Sequence, residues 1–463
     1  MQHTKNQIIS ENRQEYGEIY PHLRWVSPEE AANAAAQRTE LLHSMETALH
    51  TVCHNTKPYW QALSPGCMTC GQGTWSCLFI NGKCPCACFH CPTEQNKTGV
   101  PMTNSVPFHK PAEYVSYLEK FGFRGAALSG GEPFGTFPLT LSFVTAIKKK
   151  FGSSIYLWMY TSGVFANGEN LKKLKDAGLD EIRFNIGATK YRLDNARKAV
   201  GIIDNVTVEI PAVPEDTEVL KQKIREMQES GISYLNLHQL RLTPYNAVNL
   251  IQRPCTFVHG KKVTVLESEL TVLRLLAYAA ENAITLPINY CSFVYKNRFQ
   301  SAAFRKRNAA VIRKSYEDLT ESGYIRSLFL TGEAGDLVRQ TQEFGTKEAD
   351  PALWSLSSAK DRLYFSESLR DLILFDNADL FVTYSDARIL PSVSYQNPFA
   401  EISLTRNKKV FVEKMRVQEP VKISPEILMN LKGENVPAQE PDRSIWEQIQ
   451  AFEEIPWGLQ EYF

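Results

Sequence analysis

From about residue 76 the chain switches repeatedly between two hydrophobic periods. Short apolar runs with the composition of strands alternate with stretches in which apolar residues recur every three or four positions, as on one face of a helix. Leu78-Phe79-Ile80 is the first predicted strand, followed by Ala126-Ala127-Leu128, Ile155 to Tyr160, Glu181 to Ile186, Val206 to Ile210 and Tyr234 to Leu240. Helices are predicted between them, at Ala112 to Phe121, Leu139 to Phe151, Asn170 to Ala177, Leu193 to Ile203 and Glu218 to Glu229. Such alternation specifies an α/β fold with a parallel sheet, because each helical crossover returns the chain to the same end. Six units predict a partial (β/α)6 parallel barrel, open on one side. In parallel barrels the chemistry sits at the carboxyl ends of the strands.

The flanks read differently. Ser27-Pro28-Glu29-Glu30 carries helix-start signals, a serine cap with proline and acids in the first turn. That helix is predicted to run to about Val52, with Leu41, Leu42, Met45 and Leu49 as its apolar stripe. Four segments are expected. Residues 1–75 form an N-terminal helix and a cysteine-rich metal loop, and 76–300 the barrel. A late helix from Leu270 to Asn282 and a seventh strand ending at Cys291 belong to the barrel. Residues 301–375 form a helical region, and 376–463 a small C-terminal β-containing domain that includes Lys409-Val410-Phe411-Val412.

Charge and targeting narrow the partners. Lys plus Arg and Asp plus Glu both number 51, which gives a net charge of zero. No broad field for nucleic acid or a membrane surface follows. The polar start, Met1-Gln2-His3-Thr4-Lys5, has no apolar signal core, and no apolar run approaches the roughly 20 residues of a membrane span. A cytoplasmic protein is expected.

Cysteine usage carries the chemistry. Eight of the 10 cysteines fall between Cys53 and Cys91. Disulfide frameworks staple small secreted domains, so in a chain of 463 residues metal binding is the better reading, against reduced structural thiols or disulfides. In Cys84-Pro85-Cys86-Ala87-Cys88-Phe89-His90-Cys91, the thiols of Cys84, Cys88 and Cys91 are separated by three and then two residues. Soft thiolates at such spacing suit an iron–sulfur cluster. Three of them on a four-iron cluster leave one iron open to a small molecule. Cys86 is a redundant or a resolving thiol. Cys67-x2-Cys70, flanked by Cys53 and Cys77, suits a second site holding zinc or iron, or an auxiliary cluster. Against this, Cys53 or Cys77 is a plain buried thiol. Cys291 is open between hydrogen-atom donor, metal ligand and inert buried thiol. Gly130-Gly131-Glu132-Pro133 follows the second strand. Its glycines would let backbone approach a ligand, Glu132 could complement a cation and Pro133 stiffens the turn; the plain alternative is an ordinary turn.

Cys84-x3-Cys88-x2-Cys91, with Ser129-Gly130-Gly131-Glu132-Pro133 starting 38 residues after Cys91, resembles the radical S-adenosylmethionine (SAM) superfamily over residues 76 to 240. His90 stands where that pattern usually has an aromatic residue. The resemblance implies a [4Fe-4S] cluster on Cys84, Cys88 and Cys91 whose open iron chelates SAM. Reductive cleavage then yields a 5′-deoxyadenosyl radical that abstracts hydrogen from a peptide, protein or small-molecule substrate. It also implies a reductant such as flavodoxin or ferredoxin, and oxygen sensitivity. Gly130, Gly131, Glu132 and Pro133 would bind the methionine amino group, and Thr161 and Ser162 the ribose, against simple turn chemistry. Asn185 and Glu209 are SAM contacts or satisfied core groups. His238 is a substrate contact, a proton donor or a structural histidine.

Four further segments resemble a subgroup near the cobalamin-dependent methyltransferases that modify arginine or glutamine carbons of methyl-coenzyme M reductase. They are Ser64-Pro65-Gly66-Cys67-x2-Cys70, Leu235 to Leu240, Tyr290-Cys291-Ser292 and Ile455 to Tyr462. That likeness implies cobalamin after residue 300, in a site without an Asp-x-His-x-x-Gly run. The basic residues Arg298, Arg305, Lys306, Arg307, Arg313 and Lys314 either grip an anionic substrate or cofactor or form a solvated helix face. Three functions compete: a corrinoid-free radical enzyme such as an activase, mutase or peptide-modifying enzyme; a cobalamin C-methyltransferase; and a non-catalytic iron–sulfur or zinc protein. The Gly-Gly-Glu-Pro segment argues against the third.

Overall fold

The computed structural model describes residues 2–375, 377–431 and 441–463. The chain divides into one unit made of the residues up to Gln300 with Trp457–Phe463, and a second made of Ser301–Pro456.

In the first unit seven strands lie side by side in chain order and parallel: β1 (Trp75–Asn81), β2 (Gly125–Gly130), β3 (Tyr156–Thr161), β4 (Glu181–Phe184), β5 (Asn205–Pro211), β6 (Tyr234–His238) and β7 (Ile288–Cys291). Leu78 stands opposite Leu128, Leu128 opposite Met159, and Leu235 opposite Ile288. Both faces are covered; β4 is buried at every position. Outside lie helices whose inward residues recur at three and four: Tyr114, Tyr117 and Leu118 on Pro111–Lys120, and Leu220, Ile224 and Met227 on Thr217–Glu229. The barrel is partial, as expected. β1 does not meet β7: Phe79 on β1 pairs with Met102, and β7 pairs antiparallel with Lys57–Trp60. Ser76 receives a hydrogen bond from Tyr114 on a covering helix (3.0 Å), so the alternate residues Trp75, Cys77 and Phe79 face the concave side.

The predicted helix at Leu193 to Ile203 shrinks to Asp194–Arg197. The long N-terminal helix is Pro28–Ser44, with Ser27 and Glu30 forming a capping box. It ends short of Val52 because His50–Val52 and Lys57–Trp60 make a hairpin. Cys53, His54 and Asn55 in its turn all have positive φ (55°, 49°, 58°), a run no right-handed helix can contain. The closing residues 457–463 return to the barrel. Arg38 Nη1 donates to Gln460 O (2.7 Å), His259 N to Phe463 O (3.0 Å), and Tyr462 bonds the buried Glu269, which also accepts from Tyr290 (2.9 Å).

The second unit is an antiparallel sheet with helices packed on it. Its central strands are Ile325–Gly332, Ala378–Leu390 and Lys408–Lys422. Residues 301–375, expected to be helical, contribute Asp318–Leu319, Ile325–Gly332, Trp354–Leu356 and Arg362–Phe365 to this sheet. They share one core with the residues expected to form a separate C-terminal domain: Leu328, Leu337 and Phe344 pack in the same cluster as Tyr384, Leu428 and Trp446. Ile325–Gly332 is buried at six consecutive positions, so it lacks the two-residue alternation that marks a half-exposed strand. The helix Asp442–Glu453 is tied to the sheet through Glu453, which accepts from Arg326 (2.7 Å) and Tyr384 (2.6 Å). Among the described residues no helix is long and apolar enough to cross a membrane.

His259 yields a pH prediction. Its ring stacks on Trp25 with centroids 3.8 Å apart, and Nδ1 lies 3.1 Å from Asn12 Oδ1. Burial, then Arg13, push its pKa from 6.5 to about 4. Between those values the unfolded chain binds the proton and the folded chain does not, so stability falls as pH drops through that window. The midpoint of urea unfolding should decline from pH 7 to pH 4.5, and His259→Gln should flatten the decline. An identical slope in the variant would contradict this.

Candidate active site

β1 ends at Asn81, three residues before Cys84, and β2 ends at Gly130. A seam of hydrogen bonds joins the two ends. Gly131 N donates to Asn81 O (2.7 Å) and Glu132 N to Lys83 O (2.8 Å). Asn81 Nδ2 donates to Glu132 O (3.2 Å) and Thr136 Oγ1 (2.8 Å), and Asn81 Oδ1 accepts from Lys83 N (2.8 Å). The glycines make this possible. Gly130 has φ +122°, and a Cβ there would lie 2.2 Å from Asn81 O; one on Gly131 would lie 2.2 Å from Lys83 O. The sequence suggested close approach to a ligand, whereas the approach observed is to the chain's own backbone at the root of the cysteine loop.

Glu132 extends the seam to β3. It is fully buried. Its Oε1 accepts from Thr161 Oγ1 (2.7 Å) and Phe134 N (3.1 Å), and Oε2 accepts from Ser162 N (2.7 Å) and the Ser162 hydroxyl. Thr161 and Ser162, read as ribose contacts, therefore spend their hydroxyls on Glu132. Pro133 is buried and its carbonyl accepts from Thr140 (2.8 Å). Asn185 follows β4, its N–H held by Thr161 O (2.8 Å). Its buried Oδ1 has no hydrogen-bond partner among the described residues, an acceptor left for a ligand's donor.

Glu209 lies on the concave side in a buried charge group. Arg183, 3% exposed, reaches Glu181 (2.9 Å) and Glu209 (2.8 Å), and Asn236 Nδ2 donates to Glu209 (3.0 Å). Burial alone would raise the Glu209 carboxyl; Arg183 and then His238 outweigh it and hold it below the usual range. At the end of β6, His238 is pushed down to about 3, by burial and then by Lys296, so it is neutral at physiological pH.

Cys84, Cys86, Cys88 and Cys91 are all partly exposed. Cys84 N donates to Gln95 O and Cys91 N to Cys88 O, both at 3.0 Å, which folds the loop back on itself. The far side is braced by Asn246 Nδ2 on His90 O (3.2 Å) and by the Arg253 guanidinium 3.8 Å from the Phe89 ring centroid. Burial first, then neighbouring thiols, push Cys88 up to about 12, and Cys84 is raised to about 11, mainly by burial. Cys86 is among the groups whose proximity acts on Cys84. Among the described residues no three His, Cys, Asp or Glu side chains stand as a ready-made metal cage. The donor set nevertheless fits an iron–sulfur group. Three soft, accessible thiols on one braced loop feel one another's charge, and a bound metal would replace their protons.

The earlier cysteines come from separate elements. Cys53 lies in the hairpin turn, and Cys67 and Cys70 are one turn apart on the helix Pro65–Gly71. Cys77 is on the concave face of β1, its thiol raised to about 12 by burial and then by Glu209. Not singled out from sequence were Asn81, which stitches the seam, Arg183, and Lys57, a fully buried lysine. The cue for the last was a lone cation in the strand Lys57-Pro58-Tyr59-Trp60.

Residues 69–194, spanning the cysteine loop and the Gly-Gly-Glu-Pro seam, match a family model described as a 4Fe-4S single cluster domain. A Methanocaldococcus jannaschii protein, provisionally named a glycyl-radical enzyme activating enzyme, is 29% identical over 289 residues, covering 59% of this chain and 76% of its own. The cysteine loop and the glycine seam thus lie within a segment similar to a 4Fe-4S single cluster domain. Solved structures with lower similarity include Streptococcus suis SuiB bound to precursor peptide SuiA (11% identity, TM-score 0.38, 63% of this chain and 58% of that one). Another is Escherichia coli coproporphyrinogen III oxidase, a radical SAM enzyme (9% identity, TM-score 0.31, 48% of this chain). The chain spans 58% and 57% of those two chains, respectively.

The seam makes Gly130 intolerant of a side chain. Gly130→Ala should destabilise the protein by about 2–4 kcal/mol, from backbone strain plus the clash with Asn81. Urea unfolding checks this, and a wild-type midpoint would refute the seam's role.

Proposed function

We propose that this protein is a radical SAM enzyme that binds its cluster through Cys84, Cys88 and Cys91 and acts on a polypeptide, in the manner of an activase. When bound, the cluster supplies the electron that cleaves the SAM sulfonium, giving a 5′-deoxyadenosyl radical that takes a hydrogen atom from the substrate. The observation that carries this reading is the Asn81–Gly131 seam, which fixes the root of the cysteine loop against the carboxyl end of β2. In it, Gly130, Gly131 and Pro133 shape the floor, and Glu132 holds Thr161 and Ser162 at the neighbouring strand end. These are positioning roles. Asn185 Oδ1, unsatisfied within the chain, would accept a hydrogen bond from an amine or hydroxyl of SAM. His238, at the end of β6, would contact the substrate as a neutral imidazole.

Two facts support a polypeptide substrate. The M. jannaschii relative carries an activating-enzyme name, and such an enzyme acts on another protein. The rim also exposes apolar side chains: Phe79 and its cross-strand neighbour Met102, and Val164 with Phe165 after β3. Apolar groups left open at a barrel mouth suit a macromolecular partner better than a small polar substrate. A flavodoxin or ferredoxin would supply the electron.

Anaerobically reconstituted, reduced protein should release 5′-deoxyadenosine from SAM. Cys84→Ala, Cys88→Ala and Cys91→Ala should each bring it to background. Full yield from any of the three would overturn the ligand assignment. The visible spectrum of the same sample separates a corrinoid methyltransferase, which would show cobalamin bands, from the activase reading, which requires a cluster alone.

A further inference from the structure

The sheet of the second unit ends on an unguarded strand. Its outermost strands are Trp354–Leu356 on one side and Phe399–Thr405 on the other. Among the described residues Phe399–Thr405 pairs only with Lys408–Lys422, so its outer edge is open. Trp354–Leu356 is three residues long, and shortness blunts an edge; Phe399–Thr405 is seven. Phe399-Ala400-Glu401-Ile402-Ser403-Leu404-Thr405 holds no lysine, no proline and one charge. The usual guards against strand addition are missing from most of it. A register shift after Ser403 marks a bulge, which twists only its last residues.

Exposure follows the strand's period of two. Ala400 and Ile402 stand opposite the fully buried Val412 and Val410, and Leu404 is buried. Phe399, Glu401 and Ser403 are exposed. Beside the open edge, Tyr395 is 80% exposed and Phe399 40%, their rings edge to face with centroids 5.6 Å apart. Ser394 Oγ and Asn397 Nδ2 each donate to Glu413 (2.7 Å), which fixes the loop that presents Tyr395. Exposed rings next to unpaired backbone mark a surface that another chain covers.

We infer that Phe399–Thr405 pairs antiparallel with the same strand of a second copy of this chain, joining two sheets into one across a two-fold axis. The strand's own sequence selects this occupant. A two-fold contact is isologous, so the strand has to complement its own reverse. Centred on Ile402, it does. Ile402 meets the second copy's Ile402, Ala400 meets Leu404, Glu401 meets Ser403 and Phe399 meets Thr405. Apolar residues face apolar residues on the packed side, and the one carboxylate faces a hydroxyl that donates to it. Centred on Glu401, the strand would oppose two carboxylates. A centre between two residues would join the packed face of one copy to the exposed face of the other. Arg406, exposed and next after Thr405, falls beside Phe399 of the second copy, where a cation–π contact adds to the pairing. Seven paired residues a side cover less than a standard interface, so the dimer is reversible.

Sedimentation velocity of the full-length, anaerobically purified protein over a concentration series tests this. A species of twice the chain's mass should grow in with concentration. Glu401 and Ser403 are both exposed, so changing them spares the fold. Ser403→Glu sets two pairs of carboxylates face to face and should raise the dimer's dissociation constant about ten-fold. Adding Glu401→Lys turns both pairs into opposite charges and should restore the wild-type constant. Lys409, which bridges Glu401 (2.7 Å) and stands opposite Ser403, keeps a carboxylate neighbour in that double variant. A monomer at every concentration, which would leave the edge to a different chain, overturns the inference. So does a dimer that Ser403→Glu leaves unchanged, or one that Glu401→Lys fails to restore.

Discussion

The buried carboxylate of Glu132 and the backbone seam beside it hold together the carboxyl ends of three strands. A carboxylate out of water is costly unless every lone pair is used. Here it accepts from Thr161, Ser162 and Phe134, so the cost is met by charge-assisted bonds that also fix the neighbouring strand end. The cysteine loop starts from Lys83, whose carbonyl accepts from Glu132 N. One residue thus couples the root of the loop, the glycine turn and the end of β3, and a change at any of the three is felt by the others.

Charge inside the barrel follows the same logic with one exception. Arg183 is matched by Glu181 and Glu209, and Glu209 in turn by Asn236. Lys57 has no carboxylate and no hydrogen-bond acceptor among the described residues.

Much of this was legible in the sequence. The β-α alternation gave the parallel order of the strands, because both-face burial produces successive apolar residues such as Leu157, Trp158 and Met159. The spacing of Cys84, Cys88 and Cys91 and the glycine pair marked the site. The functions of individual polar residues were not legible. Thr161 and Ser162 look like free hydroxyls until Glu132 is seen to claim them, and nothing in a strand pattern says that Lys57 points inward among thiols. The 301–375 segment was misread because Ile325–Gly332 is buried on both faces and its strand partners lie far away in sequence, up to Ala378–Leu390.

The central claim is that the three-cysteine loop and the seam beside it build a cluster site that receives SAM directly. Electron paramagnetic resonance of the dithionite-reduced, anaerobic protein tests it. The account predicts the signal of a reduced [4Fe-4S] cluster whose g-values shift when SAM is added. A reduced cluster with an unchanged signal in saturating SAM, or no such cluster after reconstitution, would contradict it.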